Sequence, residues 1–103
     1  EGGGFDLPIA LGILVASGQV KAEGLDEYEL AGELSLSGEL RAIRGALAMT
    51  YRASRSGRKF VLPAASAHEA ALVDDASVYG ADSLLAVCAH FAGETPLARV
   101  ARE

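Results

Sequence analysis

Glu29-Leu30-Ala31-Gly32-Glu33-Leu34-Ser35-Leu36-Ser37-Gly38-Glu39-Leu40-Arg41 is the stretch on which the fold turns. Its period is two. Leu30, Gly32, Leu34, Leu36, Gly38 and Leu40 share one parity, and Glu29, Glu33, Ser35, Ser37, Glu39 and Arg41 share the other. Alternate side chains of a strand point to opposite faces, so the pattern predicts a half-buried strand pair. A three-residue turn at Ser37-Gly38-Glu39 would oppose Leu36 to Leu40 and keep both on the core face. A two-residue turn would oppose Leu36 to Glu39 and break the pattern.

Upstream the period changes. Asp6 has the form of an N-cap, and Pro8 falls in the first turn, where its missing N–H does no harm. The helix is expected to run to about Ser17, with Gly18 closing it in the left-handed conformation. Leu7, Ile9, Leu11, Ile13, Leu14 and Val15 surround the cylinder, which predicts a buried helix. Gly12 would then serve close packing. Residues 19–28 read as a polar connection.

Downstream, a second helix is expected from Arg44 or Gly45 to Ser56, stopped by Gly57, with Leu47, Met49 and Tyr51 as its apolar surface. Phe60-Val61-Leu62 reads as a short buried strand ended by Pro63. Ser66-Ala67-His68-Glu69 has the form of a capping box opening a helix to about Val73. Ser77-Val78-Tyr79 reads as another strand, and Asp82 as the cap of a last helix ending near Gly93. Short strands alternating with helices predict a layered α/β domain over residues 1–94, with 95–103 as a linker.

The bulk numbers agree with one small domain. Of 103 residues, 50% are hydrophobic and 22% charged, which supports a core and argues against disorder. The apolar stretch from Leu7 to Ala16 is about half of the roughly 20 residues that span a bilayer, so no membrane segment is expected. Cys88 is the only cysteine. It excludes an internal disulfide and fits a reducing, cytoplasmic compartment. The start at Glu1-Gly2-Gly3-Gly4, without Met, suggests a piece of a longer protein.

The net charge of −5 argues against a generally nucleic-acid-coated surface, but its distribution is uneven. Arg41, Arg44, Arg52, Arg55, Arg58 and Lys59 fall in one acid-free segment, which carries +6 against −11 for the remainder.

Catalytic chemistry finds little support. The glycine run Gly2-Gly3-Gly4 precedes a helix, as in a phosphate loop, but no Gly-Lys-Ser/Thr follows. Asp6 also places a carboxylate where the phosphate would sit. Cys88 and His90 are two apart and fall on different helix faces, and His68 is expected exposed, so no metal set forms. Glu33 with Glu39, and Asp74 with Asp75, read as solvated surface. A Ser–Lys dyad has only Lys21 and Lys59 to draw on, and neither is placed to face a serine. No catalytic, cofactor or metal residue is assigned.

Three ordered motifs carry a resemblance that covers nearly the whole chain. They are Gly4-Phe5-Asp6-Leu7-Pro8-Ile9-Ala10-Leu11-Gly12-Ile13-Leu14, Gly32 through Arg41, and Val78-Tyr79-Gly80-Ala81-Asp82-Ser83-Leu84. The chain resembles the proteolytic domain of Lon protease and, more closely, the amino-terminal domain of the ComM/YifB family of magnesium-chelatase-related AAA+ proteins. The resemblance implies a Lon-protease-like layered sheet with helices, incomplete at its N-terminus. It also implies an ATPase module, with ATP and magnesium, beyond residue 103. Lon carries its nucleophile in Gly-Pro-Ser-Ala-Gly before the first helix, where this chain has Gly2-Gly3-Gly4-Phe5-Asp6 and Gly4 takes the serine's place. The lysine position matches Leu47. Neither residue can do the chemistry, so the resemblance implies a non-catalytic domain.

It further implies a hexameric ATPase that remodels DNA, by branch migration, during natural transformation. A related Lon-like domain in the RadA repair proteins serves as a DNA-contacting scaffold. On a helix Arg44, Arg52 and Arg55 would share one broad stripe able to meet successive phosphates. Equally, the stripe would suit an acidic protein surface, and the domain would then pack neighbouring subunits of the ring. An active peptidase is the third and weakest reading.

Overall fold

Phe60-Val61-Leu62 is an unbroken apolar run, and all three side chains are buried, as a strand covered on both faces requires. In the computed structural model, which describes residues 3–101, this run lies within Lys59–Pro63. That strand (β4) is the centre of a three-stranded parallel sheet. Tyr28–Leu30 (β1) flanks it on one side and Val78–Ala81 (β5) on the other. The register sets Leu30 beside Val61 and Phe60 beside Val78.

The pleat sorts the core into two halves. Phe60, Leu62 and Val78 pack with Ala46 and Ala53 of α2 (Ala46–Arg55) and with Ala67 and Ala70 of α3 (Ala64–Ala70). On the other face Val61 and Ala81 pack with Leu7 and Leu11 of α1 (Asp6–Ala16) and with Val87 and Phe91 of α4 (Leu84–Phe91). The domain is therefore a mixed α/β structure in three layers, its parallel strands joined through α2 and α3. Gly80 makes the α3 contact possible. A Cβ there would lie 3.2 Å from the Ala64 Cα and 3.2 Å from the Ala67 Cβ.

The alternating stretch from Glu29 is not one hairpin. Glu29-Leu30 belongs to β1, whereas Glu33–Leu34 (β2) pairs antiparallel with Leu40–Arg41 (β3). Gly32 lies between them. Its N–H donates to the Gly4 carbonyl (2.9 Å) and its carbonyl accepts from the Leu7 N–H (2.9 Å), so the chain leaves the main sheet to hold the start of α1. A Cβ on Gly32 would stand 2.7 Å from Leu40 Cδ2. The expected pairing of Leu36 with Leu40 is corrected to Leu34 with Leu40. Leu36 stands at the tip, 110% exposed. Ser35 closes the loop, its N–H donating to the Glu39 carbonyl (2.9 Å) and its Oγ accepting from the Glu39 N–H (3.1 Å). The shift is two residues, so parity survives, and Leu34 and Leu40 keep a common face.

Other local expectations are corrected by tertiary partners. Asp6 is the first residue of α1 rather than its cap, and its Oδ2 accepts from the Leu34 N–H (3.0 Å). α1 is not wholly buried. Leu7 and Leu11 are at 0% exposure, but Ile9 and Ile13 are about three-fifths exposed, and Gly12 faces open space rather than a close neighbour. α2 buries Ala46, Thr50 and Ala53, whereas Leu47 and Tyr51 face outward. Ser66 lies inside α3 rather than capping it, and its buried Oγ accepts from the Ile43 N–H (3.0 Å). Ser83, not Asp82, caps α4, accepting from the Ala86 N–H at 3.1 Å.

Gly18, Gly45, Gly57 and Gly93 adopt the left-handed φ that ends or opens a helix. The stretch expected as a linker packs back on the sheet edge through Val100. Arg99 bridges Tyr79 antiparallel, and the Val100 N–H donates to the Val78 carbonyl at 2.8 Å. Among the described residues no helix is long and apolar enough to cross a membrane.

Candidate interaction surface

α2 packs its small side chains inward. Each helical residue turns about 100°, so with Ala46, Thr50 and Ala53 facing the core, Arg55 points away from it and Tyr51 and Arg52 flank Arg55. Thr50 satisfies its buried hydroxyl within the helix, donating to the Ala46 carbonyl at 2.6 Å. Arg44 does not extend this face as a helical residue. It precedes Gly45, whose φ of 75° breaks the helical path, so the single stripe of Arg44, Arg52 and Arg55 is not formed by one helix. Arg44 instead stands exposed at the N-terminal entrance, and Arg52 and Arg55 stand exposed near the other end.

The basic segment divides in two. Arg58 Nη1 meets Glu29 Oε2 at 2.6 Å, and Lys59 Nζ meets Glu27 Oε1 at 3.6 Å, so acids at and before β1 neutralise its last two charges. Among the described residues no carboxylate pairs with Arg41, Arg44, Arg52 or Arg55. Arg55 is held by Tyr51. Its Nη1 donates to the Tyr51 hydroxyl at 2.9 Å, with the guanidinium carbon 5.8 Å from the ring centre. Tyr51 is 53% exposed.

The positions matched with a protease dyad carry neither nucleophile nor base. Gly3–Phe5 forms a single 3-10 turn, and a Cβ on Gly4 would approach Met49 Cε at 3.6 Å. Leu47 is exposed on α2. Gly2, part of the glycine run considered as a phosphate loop, lies outside the described residues.

His90 is the residue whose environment the sequence concealed. Its Nδ1 accepts from the Leu97 N–H at 2.8 Å, which places the ring proton on Nε2, 3.1 Å from the Tyr28 hydroxyl. Tyr28 and Phe91 meet the imidazole edge-on at 5.6 and 5.0 Å between ring centres. Burial, and secondarily the Lys59 ammonium, lowers the His90 pKa below its ordinary 6.5. Burial raises the Tyr28 phenol and the Cys88 thiol. Leu97 lies seven residues beyond His90 and Tyr28 lies 62 before it, so no local spacing could reveal the group. Among the described residues no three of His, Cys, Asp and Glu gather into a metal set.

The profile of the family described as subunit ChlI of Mg-chelatase matches residues 1–66. The chain is 46% identical to protein YifB of Escherichia coli over 96% of its own length. It is 42% identical to competence protein ComM of Haemophilus influenzae over 94% of its length. A mycobacterial relative, from Mycobacterium bovis, is 37% identical over 91% of the chain. The chain spans about a fifth of the length of these relatives.

Proposed function

The chain belongs to the family of subunit ChlI of Mg-chelatase, and from that premise we propose that it is a non-catalytic, DNA-contacting scaffold of a ComM-like AAA+ ATPase. Such a protein would work on DNA in the cytoplasm during competence, by branch migration in a hexameric ring. ATP and magnesium would be held by its ATPase portion rather than by this chain. The Lon-like character of the scaffold is part of the proposal, supported by the mixed α/β layering.

The observation that carries the reading is the group of exposed arginines, Arg44, Arg52 and Arg55, which have no acidic partners among the described residues, whereas Arg58 and Lys59 are neutralised. Unpaired guanidinium groups keep their attraction for phosphate, and each phosphate neutralised adds about −0.9 to the slope of log affinity against log salt on duplex DNA. Fluorescence anisotropy across a salt series tests it, with circular dichroism as the control for folding. Salt-sensitive binding lost in the Arg52→Glu/Arg55→Glu variant is expected. A folded chain that ignores DNA at low salt would end the reading.

A second reading, subunit packing without DNA contact, draws on Phe5, in the turn before α1, and on Ile9 and Ile13 of α1, which expose apolar surface. It expects concentration-dependent self-association in sedimentation runs, abolished by Ile9→Glu.

A further inference from the structure

Ala48, Tyr51, Arg52 and Arg55 fall at offsets of 0, 3, 4 and 7, the spacing of one continuous helix face, and all four are exposed. They lie on the side of α2 opposite the buried Ala46, Thr50 and Ala53. The face is thus one aromatic ring between a small residue and two cations. Building on the DNA-contact reading, we infer that this face takes single-stranded nucleic acid. An unpaired base stacks on Tyr51, and the flanking phosphates lie against Arg52 and Arg55.

The geometry of Tyr51 supports this choice over duplex. Arg55 Nη1 is hydrogen-bonded at the hydroxyl end of the ring, 2.9 Å from the oxygen, with the guanidinium carbon 5.8 Å from the ring centre, and one guanidinium can cover at most one of the two ring faces. That hydrogen bond also holds the guanidinium beside the ring, which reduces the ordering needed when a phosphate arrives. Ala48, one turn before, leaves room for a base to slide over the ring. In a duplex the base faces are already stacked on one another, and an exposed tyrosine offers them nothing. In a single strand each base has a free π-face, and an aromatic platform beside arginines captures both parts of a nucleotide. Arg44 lies before the N-terminal end of α2. The ten-residue helix is about 15 Å long, which leaves room for a strand to run along it and meet a cation at each end. An acidic peptide would satisfy the arginines but would have no use for the ring.

The chain has no tryptophan, so Tyr51→Trp installs its one tryptophan, excited apart from the tyrosines, on the proposed platform. The variant is titrated with short oligothymidylate, with a duplex of the same length, and with polyglutamate. Strong quenching by the single strand, and little by the duplex or by polyglutamate, is expected. In parallel, Tyr51→Ala should weaken single-strand binding on the order of 10-fold, while Tyr51→Phe, which keeps the ring, should retain it. Duplex bound as tightly as single strand, with Tyr51→Ala unchanged, would overturn the stacking site and leave the DNA-contact reading standing. Binding of polyglutamate alone would overturn both and assign the face to an acidic protein. Tyr51 is exposed, so these variants should fold, and circular dichroism confirms it.

Discussion

α1 is apolar around most of its circumference, and α2 carries arginines, an aromatic and small residues, yet each buries a single narrow strip. α1 buries Leu7 and Leu11, one turn apart, against Val61 and Phe91. α2 buries Ala46, Thr50 and Ala53 on the other face of the same sheet. The large side chains that would have been assigned to the core, Ile9 and Ile13 on one helix and Leu47 and Tyr51 on the other, face outward. What a helix buries is set by the width of its contact with the sheet, not by its total hydrophobicity. The surfaces left over differ in chemistry: an apolar ridge on α1, and on α2 a tyrosine with two arginines that meet no carboxylate among the described residues.

The largest expected effect breaks the comparison within α1 itself. Leu11→Ala removes a wholly buried side chain and should cost about 2–5 kcal/mol in urea denaturation. Ile13→Ala, half a turn away and largely exposed, should change stability by about 0.5 kcal/mol or less. Equal losses would mean that the outer ridge is covered in solution.

On the α2 side, Ser66→Ala leaves the Ile43 N–H without its acceptor, and a loss of about 1–2 kcal/mol in the same assay is expected. This would show that the polar link, rather than apolar area alone, holds the chain entering α2 against α3.

His90 sharpens the contrast by pH. Its folded pKa lies below the unfolded value of 6.5, so the unfolded chain binds the proton more readily. The stability this supplies is complete above pH about 6.5 and falls away as the pH drops toward and through the folded pKa. Urea midpoints should therefore decline in acid, and His90→Gln should flatten that decline. A His90→Gln profile as steep as the parent's would remove His90 as its source. Least of all, Arg52→Ala and Arg55→Ala should shift the thermal midpoint by no more than an equivalent of about 0.5 kcal/mol, because neither guanidinium meets a carboxylate among the described residues.

Because periodicity and punctuation are local, the sequence by itself determined most of the element types, though not the separate parallel strand Tyr28–Leu30. Phe60-Val61-Leu62 reads as a doubly covered strand, Gly18, Gly57 and Gly93 mark helix ends, and the uneven charge singles out residues 41–59. Only the tertiary structure decided where the polar groups go. Asp6, Ser66 and His90 look like two caps and a helix-end histidine, but their partners are Leu34, Ile43, Tyr28 and Leu97, three of the four more than twenty residues away. Gly32 breaks the alternating run because its backbone must hold α1, and that competing partner is invisible in a period of two. A side chain's local spacing shows which hydrogen bonds it could make. Which one it makes depends on what the folded chain brings within about 3 Å.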